Sequence, residues 1–124
     1  MTRRQEPLLT AWSNEVAEAK AARNRGDFAG EWSRLERAHI LSQPMIMPHI
    51  QTHVAMLAYG IRRRDGREVA GQLIRLILAG PGSLTGRYPV GNTGGAKVSA
   101  FLPMSVPDDL LALIQNDQSM EAAQ

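Results

Sequence analysis

All three histidines of the chain fall between positions 39 and 53. Glu36 and His39 form a Glu-x-x-His pair, and His49 and His53 form a His-x-x-x-His pair. Residues three or four apart share one face of a helix, so each pair can aim at a single point. A transition-metal ion requires that convergence, because its ligands must meet about 2 Å from a common centre. Glu36, His39, His49 and His53 are therefore the candidate ligands of a mononuclear site for zinc, copper, nickel or cobalt. Carboxylate-bridged dinuclear proteins use Glu-x-x-His twice, and it occurs once here, so a dinuclear site within one chain is not expected. Met45, Met47 and Met56 lie nearby, and thioether ligation would shift the preference towards Cu(I). The competing reading makes His39 a buried structural histidine bonded to Glu36 or a backbone carbonyl, and the methionines core filler.

These residues need elements to position them. Leu8, Leu9, Trp12, Val16 and Ala19 recur at helical spacing and predict a helix over 8–25. Gly26 is its stop, and Asp27 is the N-cap of a second helix over 28–43 carrying Phe28, Trp32, Leu35 and His39 on one stripe. Pro44 ends it, and a third helix is expected over 48–64 with Ile50, Val54, Leu57 and Ile61 as its buried face. A fourth follows the Asp65-Gly66 turn over 67–79, around Val69, Leu73, Leu76 and Ile77, and Gly80-Pro81-Gly82 is read as its end. The short link around Pro44 makes the second and third helices an antiparallel hairpin, which puts His39 and His53 at one level. Glu36 is then one turn deeper and His49 one turn shallower.

Residues 80–103 show no period and six glycines, so a long Gly-rich loop packed across the bundle is expected. A short fifth helix starts near Pro107 and runs through Ile114. The expected fold is all-α: an antiparallel bundle of four main helices plus a short C-terminal one. Residues 8–116 form the domain, flanked by flexible tails at 1–7 and 117–124. The hairpin over 26–44 is similar to the second half of a tetratricopeptide repeat, but no second copy follows at the period of about 34 residues.

Composition agrees. Of 124 residues 44% are hydrophobic and only 5% aromatic, which suits helices packed on helices better than a β-sandwich. The absence of cysteine excludes disulfides, thiolate metal sites and thiol catalysis. A net charge of +2 calls for no nucleic-acid partner, and the basic run Arg62-Arg63-Arg64 with Arg67 lacks a recognition-helix pattern or aromatic platform. No apolar run is long enough to span a bilayer and no signal-peptide pattern is visible, so a cytoplasmic protein without membrane contact is expected. The sequence leaves room for a protein partner or a homodimer. Gly91 to Lys97 has the look of a phosphate loop, but Ala96 and Val98 stand at required positions. Arg87 and Lys97 could still recruit an anion to backbone amides there. No serine elbow or carboxylate couple marks an enzyme, although an open metal position could support one.

Three phrases taken together carry a family resemblance. They are Leu35-Glu36-Arg37-Ala38-His39-Ile40-Leu41-Ser42-Gln43-Pro44, the stretch from His49 to His53, and Gly82-Ser83-Leu84-Thr85-Gly86-Arg87-Tyr88-Pro89-Val90-Gly91-Asn92-Thr93-Gly94. On these the chain resembles the bacterial domain of unknown function 3703 family over about residues 8–100. The resemblance implies no established activity. It does associate the chain with proteins found beside metal-resistance and metal-efflux genes, which favours the metal reading without assigning a ligand. The function expected is a small cytoplasmic transition-metal buffer, chaperone or sensor; the alternative is a non-enzymatic helical interaction module with structural histidines.

Overall fold

The structure, a computed structural model, describes residues 5–99 and 101–123, with residues 80–84 described by their backbone alone. Among the described residues it is all-α, with helices α1 (Glu6–Asn24), α2 (Phe28–Ser42), α3 (Ile46–Arg62), α4 (Gly66–Thr85) and α5 (Asp108–Ala122), and no strand.

Local chemistry sets most of the boundaries. Pro7 sits in the first turn of α1, where its missing N–H costs nothing. After α1 the chain turns through Gly26 at φ +74°, and the Asp27 side chain accepts from the Gly30 amide at 2.9 Å to cap α2. Asp65 repeats the device for α4, accepting from the Glu68 amide at 3.1 Å. Between α2 and α3 only Gln43, Pro44 and Met45 intervene, so the two helices that carry the histidines form a tight hairpin.

Two expected boundaries are corrected. Helix α4 does not stop at residue 79 but continues through Gly80-Pro81-Gly82 to Thr85, where Gly86 closes it in the left-handed conformation at φ +67°. Proline and glycine disfavour a helix interior by a few kcal/mol together, but they do not end α4; the chain leaves the helix at Gly86, whose positive φ provides a left-handed cap. The described non-helical residues between α4 and α5 are thus 86–99 and 101–107, so this stretch starts later than the expected 80–103 loop. Helix α5 runs on to Ala122, well past the expected end near Ile114. Residues 1–4 of the expected N-terminal tail lie outside the described residues.

The core has two centres. Leu8, Ile40, Leu41, Met45 and Leu110 join α1, α2 and α5, with Trp12 and Val106 packed on them. Ala19, Leu35 and Met56 join α1, α2 and α3 beside Trp32 and Tyr59. The expected inner faces of α3 and α4 hold only in part: Ile50, Leu57, Val69 and Leu76 are half-buried. Val54 and Ile61 are more than half exposed, as are Leu73 and Ile77, whereas His49, Thr52 and His53 of α3 and Glu68 and Gln72 of α4 are buried. Hydrophobic periodicity finds the apolar stripe of a helix, but here a polar stripe beside it is turned further inward.

Buried carboxylates tie the helices together. Glu15 of α1 accepts from Arg34 (3.1 Å) and Arg37 (2.9 Å) of α2, and Arg37 also reaches Asp109 of α5. Glu31 of α2 pairs with Arg62 of α3, the glutamate side chain being 5% exposed and the arginine 34%. Losing Arg62 strands a buried charge, while losing the charge of Glu31 frees an arginine that can reach water. Arg62→Ala is therefore expected to destabilise the fold by about 2 kcal/mol, and Glu31→Gln by clearly less. Urea denaturation of the two variants checks the asymmetry, and equal losses would contradict it.

Candidate metal centre

The hairpin of α2 and α3 brings the three histidines into one cluster, all buried. His39 of α2 and His49 and His53 of α3 point their Nε2 atoms at one another. The separations are 3.1 Å from His39 to His53, 3.1 Å from His49 to His39, and 3.2 Å from His53 to His49.

The opposite ring nitrogens are already committed. His39 Nδ1 lies 2.6 Å from the main-chain carbonyl of Asn92, which can only accept, so Nδ1 carries the proton. His53 Nδ1 lies 2.6 Å from Gln72 Oε1. The amide of Gln72 cannot be turned round, because its nitrogen donates to Glu68 Oε1 (2.6 Å) and to the Gly94 carbonyl (2.8 Å). Nδ1 of His53 is therefore the donor as well. His49 is bonded to the backbone carbonyl of Ala79. Each proton fixed on the outer nitrogen leaves a lone pair on the inner one.

Such lone pairs cannot hydrogen-bond to each other. Three lone pairs this close, aimed at one point, are spaced so that His39, His49 and His53 could together hold a single transition-metal ion. Protons are a poor substitute for an ion. Burial holds His49 and His53 down to about 4, and it holds His39 well below its ordinary value, assisted by the charges its two neighbours would carry.

Glu36, the fourth expected ligand, is not brought to the cluster. It is bonded to Thr93, with its carboxyl pushed up by burial and by Glu68, and it lines a separate pocket with Trp32, Tyr59 and Glu68. The methionines are elsewhere too: Met45 and Met56 belong to the two core centres, and Met47 is 60% exposed. Among the described residues no carboxylate or thiolate joins the three imidazoles.

The residues that hold the rings were not singled out from the sequence. Glu68 and Gln72 stand four residues apart along α4, a polar stripe that the apolar stripe beside it obscured. Asn92 is buried and organises the segment after α4. Its side chain donates to the Ser99 and Leu102 carbonyls and accepts from the Gly94 amide. Gly94, at φ +83°, lies against the His39 ring so closely that a Cβ there would come within 2.5 Å of it. Two of the backbone amides in the Gly91–Lys97 stretch are occupied internally, Gly94 donating to Asn92 Oδ1 and Ala96 to both oxygens of Glu68 at 3.1 and 3.0 Å.

The cluster is not sealed. A cavity of about 270 Å³ touches all three histidines and extends past Arg75, Ala79 and Tyr88. No helix among the described residues is long and apolar enough to cross a membrane.

The family described as a protein of unknown function (DUF3703) matches the chain over residues 6–114. No curated protein and no solved structure matches it.

The depressed histidines make stability depend on pH with a definite sign. Between the ordinary histidine value near 6.5 and about 4, the unfolded chain binds protons that the folded one refuses. Stability of the metal-free protein therefore falls as the pH drops through that window, by on the order of 3 kcal/mol for each of His49 and His53. Urea unfolding at pH 7 and pH 4.5 should show the loss in the wild type and a smaller one in His53→Leu. A flat profile would contradict the buried neutral rings.

Proposed function

The chain belongs to the DUF3703 family, and since that description carries no function, we propose one from the site: binding of a single divalent transition-metal ion by His39, His49 and His53. The observation that carries this reading is the convergence of three Nε2 lone pairs at 3.1–3.2 Å, with the outer nitrogens bonded to fixed acceptors. A purely structural triad would be expected to place a donor against each acceptor. Here the donors all point outward, so the centre is built for a cation.

The ligand set selects among metals. Three imidazoles suit zinc, cobalt, nickel and copper(II), whereas copper(I) favours sulfur, and the methionines are packed away from the cluster. Glu36 is left out of this ligand set and remains with Thr93. The open cavity favours an exchangeable ion, as in a buffer, chaperone or sensor, over a sealed structural one.

Tag-free protein, loaded with zinc and dialysed, is expected to retain one ion per chain by elemental analysis. His39→Ala and His53→Ala should each lower affinity at least a hundredfold. Zinc at a thousandfold excess over the wild-type Kd should raise the stability of the wild type by about 4 kcal/mol and that of each variant by no more than about 1.4 kcal/mol. Equal metal in wild type and variants would falsify the assignment.

A further inference from the structure

We infer that the metal held by this triad takes an external carboxylate as its fourth ligand, a small monoanion with a short apolar body lying in the adjoining cavity. The inference rests on the metal reading above and adds the class of molecule that completes the site.

Charge is the first reason. Three neutral imidazoles leave a divalent ion its full charge, and two arginines, Arg75 and Arg87, line the same cavity, while among the described residues no aspartate or glutamate does. The nearest acid behind the rings, Glu68, is already engaged by Gln72 and the Ala96 amide. A partly buried site with this excess of positive charge draws in an anion from outside.

The second reason is an unmet donor. Arg75 gives one terminal nitrogen to the Gly71 carbonyl and the other to the Val98 carbonyl, at 3.2 and 2.7 Å. Its Nε is buried without a hydrogen-bond partner among the described residues. Buried N–H groups are rarely left so, and a carboxylate oxygen is the acceptor that matches a guanidinium edge. The remaining wall gives the body of the ligand its chemistry. Leu78, Tyr88, Pro89 and Phe101 are apolar or aromatic, and about 270 Å³ holds a molecule of on the order of ten non-hydrogen atoms.

The test uses cobalt(II)-loaded protein, whose visible absorption reports the coordination sphere, titrated with benzoate, benzamide and acetate. Benzoate should change the spectrum saturably, and its neutral isostere benzamide should not. Acetate should bind at least tenfold more weakly than benzoate. Arg75→Met should weaken benzoate at least tenfold while cobalt stoichiometry stays at one, and Arg75→Lys should restore part of that loss. If cobalt binds but benzoate and benzamide behave alike, the inference is overturned and the metal reading stands. If cobalt does not bind, both fall together.

Discussion

Three lone pairs facing one another inside a protein are mutually repulsive, and the fold around His39, His49 and His53 exists largely to hold them so. Each ring is fixed from behind by a group that accepts a hydrogen bond, and each acceptor comes from a different place: the segment after α4, the middle of α4, and its later turns at Ala79. Removing any one would let its ring turn and place a proton among the inner nitrogens. The tight α2–α3 link sets the spacing of the rings, and α4 with the segment after it sets their orientation.

That division explains which parts of the molecule could be read from the sequence. Helix starts at Asp27 and Asp65 and the break at Pro44 follow from local backbone chemistry, and the structure has them there. The proximity of His39 and His53 follows from a short link and a fixed rise per residue, and their Nε2 atoms are 3.1 Å apart. Less legible was anything that depends on which side of a helix faces inward. Val54, Ile61, Leu73 and Ile77 belong to the expected apolar stripes of α3 and α4, and they are more than half exposed. Periodicity reports that a helix has two faces; it does not say which one the neighbours will cover. The same limit hid Gln72, because a glutamine beside apolar residues reads as solvated surface.

Glu36 illustrates a related limit. Its spacing from His39 puts both on one side of α2, yet the helix is one turn long between them, and a turn is enough to reach another pocket. The carboxylate near the histidines is instead Glu68, acting through an amide. Interposing Gln72 between an acid and His53 keeps full negative charge away from the ring while still ordering its proton. The centre therefore stays electron-rich without being anionic, and this leaves room for a charged molecule from outside.

The three outer acceptors differ in one respect with consequences for how such a protein can change over generations. His39 and His49 lean on main-chain carbonyls, which every amino acid supplies, so no codon change at residues 92 or 79 deletes the acceptor itself. His53 leans on a side chain, and a single codon for Gln72 decides it. Drift or selection can thus retune the inner triangle most readily at residue 72, a position that touches no bound ion. Among related chains, variation in the behaviour of this centre would be inherited through a residue that a ligand-by-ligand comparison would pass over.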